Sequence, residues 1–429
     1  MTLSNMSVKQ IGDKLKKKEI SAVELTKVYL GRIKKEDPKK ECFVTLWEAK
    51  ALRQAGTFQK KQDKNGLLSF LAGIPCGLQD HICTENLSTE AGSVILKNFI
   101  PPYNATVVEK ILDRLGIPLG KLRMSEFGMN PDPIQCGAAQ SVSKGWTVYS
   151  LGSDVFGSVS IASVFWNIAG LRPTHGLVSR YGLIASSSLD QIGIFANRVE
   201  DCAAVLSEIA GQDPRDPLSA SFTVPDYTTY LRKGVRGLKI GFLAGAEDDA
   251  KVFEKQGAEV KEVTLSLLSY IRPIYDILFS AEASSALGRY DGIKYGYRSS
   301  HGNNLSELYT RSRGEAFGSE AKKYVLAGTH ILSSEQREIY NKALKGRYLI
   351  AKESEDLFTH FDVLLMKGNP KEDDLCLLPA LTGMPALTVP KGSRSENGFY
   401  GIRLMANRFQ EGLLFQAGHL YRSETGGAT

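Results

Sequence analysis

Ser158 ends a run whose residue types suit acyl chemistry. In Leu151-Gly152-Ser153-Asp154-Val155-Phe156-Gly157-Ser158, a small-residue turn precedes the serine and an apolar run follows it. A hydroxyl so placed can lie beside backbone N–H groups able to receive an oxyanion. Near neutral pH it attacks poorly unless a base takes its proton. Lys121 and Lys144 are candidate bases, since a lysine buried near a serine can have its pKa lowered enough to act. His175 with Asp154 or Asp190 supplies the residue types of a serine hydrolase, but the Gly-x-Ser-x-Gly elbow is missing. Cys136 could be a thiol nucleophile with His81 or His175, although a small buried thiol is the simpler reading. Asp80 and Asp190 lie in turns where short acids bond loop backbones. The sequence carries no P-loop, no dinucleotide fingerprint and no His/Cys spacing of a metal site.

Positioning these groups requires a scaffold, and the chain spells one out. Ser21-Ala22-Val23-Glu24 reads as a capping box, followed by Leu25, Val28, Tyr29 and Ile33 at helical spacing that would bury one face. From about Leu71, short apolar runs alternate with helical segments. Residues 106–115 form an amphipathic helix, then come a strand near 117–119 and another at 148–151 entering the Ser158 turn. Strands are also expected at 237–242, 259–263, 361–366 and 385–390, with 265–353 mostly helical and 423–429 a frayed tail. Strands alternating with helices predict an α/β fold, a sheet with helices on both faces.

Composition narrows the class. The 429 residues are 42% hydrophobic and 23% charged, as in an ordinary globular protein. The net charge of +6 is mildly basic, but Lys16-Lys17-Lys18, Lys34-Lys35 and Lys39-Lys40 are short clusters without interleaved aromatics. They read as solvated faces rather than a nucleic-acid stripe. Six scattered cysteines without a Cys-x-x-Cys pair, and no leader pattern, fit reduced thiols in the cytoplasm, an organellar matrix being left open. No run approaches a membrane span; the apolar stretch near Leu265 is broken by Arg272-Pro273.

Several segments together resemble the amidase signature family, and within it the A-type subunits of glutamyl-tRNA(Gln) amidotransferases. They are Gly73-Ile74-Pro75 leading to Asp80, Pro101 through Lys110, Met124-Ser125-Glu126-Phe127-Gly128-Met129, the Ser158 run, Arg289-Tyr290-Asp291-Gly292 and Leu381-Thr382-Gly383-Met384-Pro385-Ala386. The resemblance covers nearly the whole chain. It implies one amidase-signature domain over 1–429: an N-terminal helical region (1–68), a core with the nucleophile loop (69–264), a helical substrate-side region (265–355) and the rest of the core (356–429). The fold implied is a mixed, twisted sheet between helical layers. The activity implied is hydrolysis of glutamine's side-chain amide through an acyl-Ser158 intermediate. The ammonia would pass to partner subunits, B and C, where ATP, magnesium and tRNA belong; this chain itself would hold neither cofactor nor metal.

The departures from the family pattern fall on its Ser-Ser-Lys triad. Ser158 aligns with the nucleophile, but Gln79 stands in the lysine's place, and an amide has no accessible pKa for base catalysis. Counting back from Ser158 without gaps puts Ile134 at the bridging serine. A stretch the family carries is missing near Asn130-Pro131. Val155, Phe156 and Gly157 hold the backbone of the oxyanion loop, with Phe156 adding bulk, and Ser160 replaces an arginine. Among groups that grip the glutamine α-amino and α-carboxylate, the resemblance points to Tyr290 and Asp373, with Lys323 or Tyr324 in place of an arginine. Lysine lacks the bidentate fork of a guanidinium. Two readings follow: a glutaminase of very weak or no activity, or a catalytically inactive pseudo-amidase that serves as a scaffold. A destabilised product with trimmed loops is a third.

Overall fold

Short strands buried at every position build the centre of the molecule. In the computed structural model, which describes residues 6–65, 69–184, 187–294, 296–369, 373–395 and 398–425, the chain begins with α1 (Val8–Lys16), α2 (Ala22–Glu36), β1 (Phe43–Leu46) and α3 (Glu48–Asn65). The core opens with β2 (Pro75–Gln79), α4 (Thr106–Asp113), β3 (Ile117–Leu122) and α5 (Gly137–Ser143). It continues through β4 (Tyr149–Ser153), α6 (Ser158–Phe165), β5 (Ala169–Arg172), β6 (Ile192–Ala196) and α7 (Val199–Ile209). Next come β7 (Lys239–Phe242), α8 (Glu247–Lys255) and β8 (Glu259–Glu262), then four helices: α9 (Ile271–Leu287), α10 (Leu305–Ala316), α11 (Ser319–Ile331) and α12 (Arg337–Leu357). The chain closes with β9 (Val363–Gly368), α13 (Leu378–Thr382), β10 (Ala386–Ser395), β11 (Gly398–Ala406) and α14 (Glu411–Glu424).

All the strands join one mixed sheet in the order β1-β3-β2-β4-β6-β5-β10-β11-β9-β7-β8. The β3-β2-β4 and β9-β7-β8 neighbours are parallel, and the middle of the sheet, from β4 to β9, is antiparallel. The period of two along a strand divides the interior. On β9, Val363 and Leu365 join one core while Leu364 and Met366 join the other. The larger core gathers α1–α5, α7, α8 and α14; the second gathers α9–α13. The sheet therefore lies between helical layers.

The capping box at Ser21 is present, with Glu24 N–H donating to Ser21 Oγ at 3.1 Å and Ser21 N–H to Glu24 at 3.0 Å. A second, Ser7 with Gln10, starts α1. On α2, Leu25, Tyr29 and Ile33 are buried but Val28 is 48% exposed. The buried stripe follows i, i+4 with Ala22, Thr26 and Leu30, and Val28 falls beyond its edge. The short segment after β7 forms a helix, α8. Of the expected frayed tail, Ser423 and Glu424 close α14 and Thr425 follows in a turn, while 426–429 lie outside the described residues.

Candidate active site

The parallel strands β2 and β4 run side by side, pairing Leu78 with Leu151. Their C-terminal ends therefore deliver Gln79 and Ser153 to one edge of the sheet, where open α/β sheets place ligands. Gly152 makes this possible, since a Cβ there would stand 2.6 Å from Gln79 Oε1. The chain then turns through Asp154–Gly157 into α6. Gly157 caps that helix in the left-handed region at φ +70°, and Ser158 is its first residue.

Two bonds define the chemistry of Ser158. Its hydroxyl donates to the Ser153 carbonyl at 3.0 Å, and the Ser153 N–H donates to Gln79 Oε1 at 3.0 Å. That N–H fixes the amide's orientation, so Gln79 turns its NH2 toward Cys136 Sγ, 3.8 Å away. Gln79 is thus a buried connector that neither gains nor loses a proton. The adjoining cavity holds about 20 Å³, room for one water. Gln79, Cys136, Ser153 and Ser158 line it together with Met124, Ser125, Asp132 and other residues of the loop between them, and no lysine, arginine or histidine is among its lining residues.

The loop before Ser158 is braced from behind. Asp154, buried, bonds Val159 N–H at 2.8 Å and forms an ion pair with buried Arg172 at 2.8 Å; Arg172 also donates to the carbonyls of Asp154 and Leu189. The Phe156 N–H donates to the Tyr275 hydroxyl at 2.9 Å, so one amide of the expected oxyanion loop is already engaged. Cys376 Sγ meets the Phe156 carbonyl at 3.4 Å, and a Cβ on Gly157 would lie 2.6 Å from that thiol. Val155 packs in the apolar core beside Gly128.

The other candidates are distributed differently. Ile134 is 63% exposed, in a single 3-10 turn (Pro133–Gln135) capped by Asp132. Gap-free counting reaches it, but the side chain facing Gln79 is that of Cys136. Lys121 is fully buried on β3 and donates to the Ile82 carbonyl and to Thr84 Oγ1. Burial lowers its pKa to about 8, against the pull of Asp80. Lys144 is exposed just past α5. Neither lysine lines the cavity. His81 is buried with neither ring nitrogen bonded to a described residue, and burial lowers its pKa to about 3. His175 is held through its backbone N–H on Gly383, and burial lowers its pKa to about 4, with Arg180, Arg172 and Arg347 adding to the effect. Burial raises the Cys136 thiol to about 11. Asp80 accepts the Glu90 amide at 3.1 Å, and burial raises it to about 6. Asp190 is likewise raised to about 6 by burial, against Arg180 and Arg172.

The groups expected to grip an amino acid are engaged by other residues of the protein. Tyr290 is buried and stacks on Phe127 at 5.5 Å. Lys323 is 66% exposed beside Glu320, while its neighbour Tyr324 turns inward onto Phe156 and Phe279. Asp373 caps the 3-10 turn Asp374–Leu377 and faces Arg403 at 3.3 Å. Arg403 could not be picked out from sequence. It is fully buried on β11 and donates to Ser160 Oγ at 2.8 Å. A guanidinium from strand β11 thus reaches Ser160 on α6, the position to which the resemblance assigns an arginine, and no local motif announces it.

Comparison with known proteins settles the ancestry. The pattern of the Amidase family matches residues 24–132 and 136–415. This chain belongs to the amidase family. The match breaks at 133–135, the turn that carries Ile134. The A-type subunit of glutamyl-tRNA(Gln) amidotransferase from Caldanaerobacter subterraneus is 38% identical, covering 98% of this chain and 96% of that protein. Its counterpart in Carboxydothermus hydrogenoformans is 37% identical, covering 99% and 98%. Their alignments span 473 and 477 positions, more than the 429 residues here, so these relatives carry segments this chain lacks. Among solved structures, the A-type subunit from Thermotoga maritima superposes with a TM-score of 0.75 at 26% identity, covering 97% of this chain and 94% of that one. A peptide amidase from Stenotrophomonas maltophilia gives 0.82 at 26%, covering 98% and 97%.

Proposed function

We propose that this chain derives from the A-type component of a tRNA amidotransferase and has very weak or no glutamine amide hydrolysis. It keeps the amidase fold as a scaffold that partner subunits of the B and C type could dock on. The observation that carries this reading is the proton balance at Ser158. The hydroxyl donates to a carbonyl, the side chain in the family lysine's place is an amide, and none of the cavity's lining residues is a cation. Loss of members of a cooperating triad lowers turnover by about 10⁴ to 10⁶. The Asp373–Arg403 pair bears on the same reading, because the carboxylate that the resemblance assigns to the α-ammonium group already faces a guanidinium. ATP, magnesium and tRNA would belong to the partners, and Asp132, the cavity's one carboxylate, is engaged in capping Ile134 N–H. In favour of residual activity, Ser158 still heads a helix and lines a cavity.

A serine-directed phosphonate separates the two readings. The chain is expected to remain unlabelled at Ser158 over times that saturate an active amidase. Stoichiometric labelling that disappears in S158A would show that a base still serves the hydroxyl.

A further inference from the structure

Phe156 sits two residues from Ser158 with φ +56°, in the left-handed region where a bulky side chain is strained and glycine is favoured. Its ring is nonetheless buried. It lies 4.9 Å from the Tyr275 ring, 4.6 Å from Phe279 and 5.5 Å from Tyr324, with the Arg272 guanidinium 6.0 Å from its centre. Tyr275 and Phe279 stand one turn apart on α9, nearly parallel at 9°, and Tyr324 comes from α11. The walls thus belong to helices, whereas the ring between them comes from a loop in a costly backbone conformation.

The geometry points to an aromatic binding pocket beside Ser158 whose resident occupant is the chain's own Phe156. The pocket takes an uncharged, flat aromatic ring of benzene size. Tilted and edge-on contacts from three aromatic walls suit such a ring, and the nearby guanidinium favours a π face. A charged ammonium would be stripped of water with no partner of opposite charge supplied by the rings, and Arg272, the cation a carboxylate would need, already pairs with Asp276 at 2.8 Å. A ligand ring can enter only where the Phe156 ring is absent, so the loop blocks its own site. This inference does not depend on whether Ser158 retains a base.

The test uses the full chain with Phe156→Gly and Phe156→Ala, and benzene and benzylamine as probes. Glycine also relieves the backbone strain. The inference expects each variant to bind benzene at least tenfold tighter than the parent, with benzene raising its denaturation midpoint and protonated benzylamine without effect. A folded variant that ignores benzene would overturn it, and so would a parent that binds benzene equally well. Failure of both variants to fold, with or without benzene, would also overturn it, by marking the ring as core that no ligand replaces. Benzene binding to a variant still unlabelled at Ser158 would leave the functional reading intact.

Discussion

A serine hydroxyl attacks only when something accepts its proton, and at Ser158 the acceptor in hydrogen-bond reach is a peptide carbonyl. Gln79 carries structure, not catalysis, since its oxygen satisfies the Ser153 N–H inside the protein. Two stability measurements follow from that assignment. S158A should shift the urea-denaturation free energy by less than about 1 kcal/mol, the net worth of one ordinary hydrogen bond. Q79A should cost about 1–3 kcal/mol, because it strands a buried N–H. The reverse order would mean that Ser158 is the structural residue of the two. The buried Arg172–Asp154 pair bears more weight, holding the turn into α6 from both its carboxylate and its carbonyl. R172M should therefore destabilise by about 3–5 kcal/mol, as expected when one partner of a buried ion pair is removed. A loss below about 1 kcal/mol in the same denaturation experiment would mean that Asp154 finds another partner.

At the scale of elements, a buried acid ties the N-terminal helices to the core. Asp201 on α7 accepts the Val8 N–H at the start of α1 at 2.7 Å, and its second oxygen is buried with no partner among the described residues. Burial raises its pKa to about 7, opposed by that Val8 bond. The unfolded-chain value is about 3.9, so the folded state holds the proton more tightly. Its favourable contribution is complete below about pH 4 and is lost as pH rises toward 7. D201N keeps the acceptor and removes the titration. It should be more stable than the parent by up to about 4 kcal/mol at pH 8, with the difference fading toward pH 4, as read from urea midpoints across that range. A pH-independent difference would contradict the assignment. Elements of this kind were partly legible: Ser21 and Glu24 declare a helix start by type and spacing alone. The Asp201–Val8 bond joins residues 193 positions apart, and nothing local encodes it.

At the scale of the whole molecule, strand-like runs at 361–366 and 385–390 and the helical stretch 265–353 foretold an α/β sheet between layers. The order of the strands came only from the structure. The site was half legible. Ser158 and Gln79 both bond Ser153, a residue the motif alignment did not single out, because Gln79 and Ser153 end adjacent parallel strands. Ile134 was reached by gap-free counting back from Ser158, but it sits in the turn 133–135 where the family match breaks; the structure turns it to solvent and puts Cys136 against Gln79. Lys323 and Tyr324 were both open at the family's arginine position; helix α11 leaves Lys323 exposed and turns Tyr324 inward. Arg403 escaped notice because a guanidinium supplied across a sheet leaves no signature in sequence.

The decisive measurement is ammonia release from glutamine by the chain purified alone and with B- and C-type subunits, beside S158A under the same conditions. The parent and S158A should release ammonia at the same background rate in either state. Turnover well above that background, abolished by S158A, would contradict the loss of activity.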